Sequence, residues 1–140
     1  IMKVNLTAPF LVQQAVAANM IEQRYGKIVN ISSIWGSISI AKRACYSTSK
    51  FGLRGLTLAS AAELAQFNVL VNTVSPGFTL TDLTRQVLGP EKMQEISQNI
   101  PMGRMAEPEE ISKTVLFVAS ELNSYISGQN IIVDGGFVNV

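Results

Sequence analysis

"NVLVNTVSP", residues 68–76, is the stretch whose reading decides the fold. Its apolar and β-branched residues run the length of one strand, and the turn pair Pro76 and Gly77 closes it. Upstream, "KIVNISS" (27–33) is a short β-rich run that suits a buried strand of a parallel sheet, and downstream "GQNIIVDGG" (128–136) supplies a third strand.

Helical periodicity fills the intervals. Apolar residues recur at helical spacing from Val4 to Ile21, where Pro9 should disturb the local ladder and Gly26 should stop the helix. A second helix is expected from about Tyr46 to Ala65, after a loop over 34–44. Residues 81–99 are polar and broken by Gly89 and Pro90, which predicts two short helices. "AEPEEISKTVLFVASEL" (106–122) has Pro108 in its first turn and acidic residues at its N-terminal end. Ile111, Val115, Val118, Ala119 and Leu122 form its apolar stripe. The order helix, strand, helix, strand, helices, strand implies crossover connections and an α/β fold with three parallel strands and flanking helices. Doubly wound sheets carry two such halves, and residues 1–140 read as one of them.

Composition narrows the function classes. The 140 residues are 47% hydrophobic and 15% charged, ordinary for one α/β domain. Eleven basic and ten acidic residues leave a net charge of +1, which argues against a nucleic-acid partner. The single cysteine, Cys45, excludes an internal disulfide framework and suits a reducing, cytoplasmic compartment. It reads as a small, partly buried neighbour of Tyr46. With no histidine and no second cysteine, no metal site is expected. The longest apolar runs fall far short of the ~20 residues of a membrane-spanning helix. Ile1 opens on what reads as helix interior, so the chain is expected to begin within a longer protein.

"YSTSK" (46–50) carries the chemistry. Tyr46 and Lys50 stand at i and i+4 on one helix face. An ammonium about 5 Å from a phenol, at an effective dielectric near 20, favours the phenolate by roughly 3 kcal/mol. That suits general acid–base work. Ser47, Thr48 and Ser49 are small, leaving room for a flat ligand. The same spacing also fits a surface Tyr–Lys pair worth a few tenths of a kcal/mol. Ser33 ends the preceding strand, and Pro76 with Gly77 ends the next, on the rim where parallel sheets bind ligands.

In order along the chain, "VNLTAPF", "GKIVNISSIWG", "YSTSK", "VNTVSPGFTLTDL", "IPMGRMAEPEEI" and "YISGQNIIVDGG" resemble the short-chain dehydrogenase/reductase family. The resemblance implies the C-terminal half of a Rossmann-type sheet and hydride transfer between NAD or NADP and a carbonyl or alcohol substrate. By it, Tyr46 is the general acid or base, Lys50 tunes Tyr46 and holds the nicotinamide ribose, Ser33 orients the substrate oxygen, and Asn5 supports a water in a proton relay. Pro76, Gly77 and the Thr79 backbone would meet the nicotinamide carboxamide, and Thr81 the carboxamide or diphosphate. Asp82 reads as a helix cap or first-turn acid. The family's glycine-rich turn and the residue selecting NAD or NADP would precede Ile1. Gly52 and Gly55 do not replace that turn, since they lie within a helix.

The family also implies a homo-oligomer, a dimer or tetramer. Its helices matching 1–24 and 46–66 pair between subunits, here with small residues at Ala15, Ala17, Ala18, Ala59, Ala61 and Ala62. An alternative from another class is a truncated, non-catalytic protein acting only through such association. Residues 78–100, Trp35 and residues 38–44 are expected on the substrate side. The sequence is similar to 3-oxoacyl-carrier-protein reductases. Arg24 fits the basic helix ends of that group, while Phe67 stands where a second basic residue is often found.

Overall fold

Strand β2 (Val69–Pro76) is buried along its whole length except at Pro76, its polar residues Asn72, Thr73 and Ser75 included. In the computed structural model, which describes residues 1–139, it lies between β1 (Gly26–Ile31) and β3 (Asn130–Val133). Both pairings are parallel, with Asn30 beside Thr73 in one ladder and Ser75 beside Ile132 in the other. The sheet order β1-β2-β3 leaves β1 at an edge.

Helices α1 (Ala8–Gln23) and α2 (Ala44–Leu64) precede β1 and β2, and α3 (Asp82–Gln98) and α4 (Pro108–Ala119) both fall between β2 and β3. Side chains alternate across a strand, so β2 serves two layers. Val69 and Val71 join Ala61 and Leu64 of α2 in a core, with Ala17, Met20, Ile21, Ile28 and Phe67 packed against it. Polar groups continue that layer. Gln13 Nε2 donates to Asn30 Oδ1 at 3.1 Å, and Asn30 Nδ2 to Thr57 Oγ1 at 2.8 Å. The Thr73 hydroxyl also reaches Thr57 Oγ1 at 2.8 Å. Helix α4 packs against β1 and β2 with Val118 buried.

Several local expectations change. Gly26 does not end the first helix; Arg24 does, in the left-handed region at φ 52°. Gly26 opens β1, where a Cβ would lie 2.6 Å from Met20 Sδ. Pro9 does disturb the ladder: the turn Lys3–Thr7 before it is π-helical, with the Ala8 amide donating to the Lys3 carbonyl, so the bonding resets where Pro9 has no donor. The residues 81–99 do form two helical pieces, parted at Gly89 (φ 70°, ψ 166°). Thr81 is the N-cap of α3, its hydroxyl accepting from the Thr84 amide, and Asp82 is a first-turn acid. Leu122 lies beyond α4 and is exposed, outside the predicted stripe. Cys45 is exposed, not partly buried; the buried residues of α2 begin at Ser47.

Candidate active site

The carboxyl ends of the strands build one rim. After β1, Ser33 takes an extended backbone and caps the 3-10 turn Ile34–Gly36, its Oγ accepting from the Trp35 amide at 3.2 Å. After β2, the Gly77 amide donates to the Val133 carbonyl at 2.9 Å, tying the turn to β3. This approach demands glycine. A Cβ at 77 would sit 2.7 Å from Asp134 Cβ and 2.8 Å from its Cα. A cleft of about 730 Å³ opens on this rim, lined by Ser33, Tyr46, Pro76, Gly77, Thr79 and Thr81. Its opposite wall is α4, through Ile111, Val115 and Ala119. That wall was not singled out from sequence, although the α4 stripe marked it.

Helix α2 presents Tyr46 and Lys50 to each other. Lys50 Nζ lies 5.7 Å from the Tyr46 ring centroid, within cation–π range, and donates to the Ile31 carbonyl at 2.9 Å. Burial holds the Lys50 ammonium below the usual lysine range, since desolvation disfavours its charged form. Of the three small residues between them, expected to leave room for a flat ligand, only Thr48 is exposed. Ser47 and Ser49 are buried, at 5% and 0% exposure. Ser49 lies on the face of α2 that also buries Leu53, Thr57 and Ala61, and Ser47 is covered from the other side by the loop through Ser39. Ser47 Oγ meets Ser39 Oγ at 2.7 Å.

Asn5 and Lys50 line a second cavity of about 500 Å³ along the free edge of β1, and Ile31 borders both spaces. The structure thus gathers Ser33, Tyr46, Pro76, Gly77, Thr79 and Thr81 into one cleft, with Asn5 and Lys50 in the adjoining one. Asn5 Nδ2 donates to Ser49 Oγ at 3.1 Å, and Ser49 Oγ donates to the Tyr46 carbonyl at 2.6 Å. Ser49 was missed from sequence, where nothing marks it as a partner of Asn5.

Trp35 belongs to an aromatic trio. Its ring packs edge-to-face on Phe78 at 6.3 Å and on Phe137 at 6.4 Å. It also borders, with Ile38 and Ile40, a cleft of about 460 Å³. At the far helix ends, Arg24 Nη2 donates to the Gln66 carbonyl at 3.1 Å while Phe67 packs on the core. Of the small helix residues, Ala61 is a core residue facing β2 and not an outward contact. Among the described residues no cluster of metal ligands occurs, and no helix is long and apolar enough to cross a membrane.

Parallel strands, helices on both faces, and hydroxyl, phenol and ammonium groups gathered at the strand ends define an α/β protein of the Rossmann type. A family model described as Enoyl-(Acyl carrier protein) reductase matches residues 1–138. The 3-oxoacyl-[acyl-carrier-protein] reductase FabG of Aquifex aeolicus is 52% identical over 136 residues, 97% of this chain and 54% of that protein. Among solved structures, a gluconate 5-dehydrogenase from Burkholderia cenocepacia in complex with NADP and tartrate superposes with a TM-score of 0.94 at 32% identity, over 100% of this chain and 55% of that one. A 4-hydroxyisoleucine dehydrogenase mutant complexed with NADH and succinate gives a TM-score of 0.94 at 34% identity, over 100% and 58%. The chain belongs to the short-chain dehydrogenase/reductase family of oxidoreductases. It spans about half the length of the curated relatives it matches.

Proposed function

We propose that this chain carries the proton-transfer half of an NAD(P)-dependent oxidoreductase that interconverts a small carbonyl compound and its alcohol. The observation that carries the reading is the shared cleft of Ser33 and Tyr46, with Lys50 held against the Tyr46 ring. Its residues suit the nicotinamide end of a dinucleotide. Ile31 and Pro76 offer apolar contact for a flat ring, and Gly77, Thr79 and Thr81 offer backbone and hydroxyl groups for its carboxamide. When bound, the dinucleotide supplies the hydride that a carbonyl carbon accepts, or takes it back from an alcohol.

The chain's own residues handle the proton. In the reductive direction Ser33 Oγ donates to the substrate oxygen and fixes its orientation, while Tyr46 releases its phenolic proton to that oxygen. The Lys50 ammonium stabilises the phenolate left behind. In the oxidative direction the phenolate takes the alcohol proton. Asn5, lining the cavity beside Lys50, holds a water through which the proton returns to solvent. Residues 1–140 act in this reading as the C-terminal part of a larger Rossmann domain, whose N-terminal part holds the diphosphate and adenosine and selects NAD or NADP. Homo-oligomerisation through α1 and α2 is favoured by the groove of about 360 Å³ that Phe10, Ala17, Leu56 and Ser60 line between them.

The test is Tyr46→Phe in the full-length protein, assayed with a panel of carbonyl compounds and both reduced nicotinamides. Turnover is expected to vanish while cofactor affinity stays near that of the parent. Retained turnover overturns the reading.

A further inference from the structure

Besides the Gly77 bond to Val133 and the packing of the Phe78 ring on Trp35 and Phe137, one backbone bridge holds the loop after β2. The Leu80 amide donates to the Ala106 carbonyl, and the Ala106 amide to the Phe78 carbonyl, each at 2.9 Å. These bonds make a one-residue parallel bridge between Thr79 and Ala106. The segment carrying Ala106 is itself tied down at both ends. At one end the Met102 amide donates to the Gly135 carbonyl at 3.2 Å, just past the carboxyl end of β3. At the other, the Arg104 guanidinium grips Glu110 of α4 bidentately, at 2.6 and 2.7 Å. Glu110 is already fixed, since its Oε2 accepts from the Glu107 amide at 2.8 Å in the capping box that starts α4. Arg104 Nη1 also donates to the Met105 carbonyl at 3.1 Å, next to Ala106.

We propose that Arg104 and Glu110 are positioning residues, a clamp that sets the height of residues 78–80 and so places Thr79 and Thr81 against the nicotinamide end of the cofactor. Neither side chain lines the cleft; they act through Ala106. The inference rests on the reading of that cleft as the nicotinamide site. Both partners are substantially exposed, at 49% and 37%, so the pair contributes little to global stability. Its value is directional. A planar fork meeting a carboxylate through two parallel bonds fixes geometry that a lysine cannot reproduce.

Arg104→Lys, Glu110→Gln and the double variant test this in the full-length protein. Without cofactor, amide hydrogen exchange at Leu80 and Ala106 should quicken in all three, while Thr73 in β2 keeps its protection and the melting temperature stays near that of the parent. With cofactor, KM for the nicotinamide dinucleotide should rise roughly tenfold, as for a loop displaced by a fraction of an ångström, with a smaller change in kcat. The double variant should be no worse than either single one. Unchanged exchange at Leu80 and Ala106 overturns the clamp whatever the activity shows. Quickened exchange with unchanged cofactor KM overturns its role in positioning. Loss of the underlying reading shows separately, as full turnover by Tyr46→Phe.

Discussion

Asn5 and Ser49 meet across the junction of the first helix and α2, Asn5 Nδ2 lying 3.1 Å from Ser49 Oγ. Ser49 is completely buried and passes the contact on to the Tyr46 carbonyl at 2.6 Å. The turn of α2 bearing Tyr46 is therefore registered against the π-helical turn that bears Asn5. The Asn5 backbone there already departs from regular helix, as functional turns often do.

Ser49→Ala should separate positioning from stability. Alanine favours helix, while the lost Asn5 contact costs about 1 kcal/mol, so the melting temperature should barely move. Turnover in the full-length protein should drop, by about tenfold, because Asn5 loses the acceptor that aims it. Steady-state kinetics beside a thermal melt make the comparison. Parent-like turnover would show that the contact orients nothing.

Thr57 sits at the centre of the buried polar chain. Its Oγ1 receives the Asn30 amide and the Thr73 hydroxyl, and donates to the Leu53 carbonyl at 3.0 Å. Thr57→Val keeps the shape but leaves Asn30 Nδ2 and the Thr73 hydroxyl without this partner. The expected loss is about 3 kcal/mol, from two buried groups unpaired at once. Denaturant unfolding measures it, and a loss below about 1 kcal/mol would mean that the network rearranges. Gln13 Oε1, buried without a bonded partner, marks the end from which such rearrangement would start.

The layered order of elements was legible because β2 opens on the apolar run Val69, Leu70 and Val71 and because Pro76, Gly77, Gly89 and Pro108 punctuate the chain. The pairing of Tyr46 with Lys50 was legible too, since helical spacing alone puts them on one face. What stayed hidden depends on tertiary context. What packs over each position of the first turns of α2 decides that Ser47, against Ser39, and Ser49, against Asn5, are buried and Cys45 exposed, and weak amphipathicity does not reveal it. The left-handed turn at Arg24 has no glycine to announce it. It is held from afar, by Asn68 Nδ2 donating to the Arg24 carbonyl at 3.1 Å and by the Arg24 guanidinium on Gln66. The bridge between Thr79 and Ala106 is likewise set by distant segments.

The clamp at Glu110 has a pH signature of definite sign. The Arg104 hydrogen bonds first, then the Glu107 amide, hold its carboxyl down to about 2. Arg104 and Lys113 contribute positive charge as well. A carboxylate depressed in the folded state stabilises it above the unfolded value and loses that contribution as pH falls through the folded one. The contribution is therefore whole above 4.5 and fades toward about 2, with Arg104 charged throughout. A carboxyl-detected NMR titration should find Glu110 still ionised near pH 4, where ordinary glutamates are half protonated. A midpoint near that ordinary value would show the bidentate pair to be absent in solution.

Two glycines should respond to the same substitution with opposite signs. At Gly55, in exposed helix, an added Cβ meets nothing within 4 Å, so Gly55→Ala should stabilise by about 0.5–1 kcal/mol through helix propensity. At Gly77 the added Cβ meets the Cβ and Cα of Asp134 at 2.7 and 2.8 Å. Rotation of the Asp134 side chain cannot relieve a contact with its own Cα. Asp134 is also held in place, its carboxylate accepting from the Gly136 amide at 2.9 Å and the Val138 amide at 2.8 Å. Either the C-terminal turn shifts, or residues 77–79 lift from β3 and give up the bond from the Gly77 amide to Val133. Gly77→Ala should therefore cost about 1–3 kcal/mol, the range for overpacking, and weaken cofactor binding by moving Thr79. Melting curves of the two variants run side by side decide it: a Gly77→Ala protein as stable as its Gly55→Ala counterpart means that the rim is not closed against Asp134 in solution.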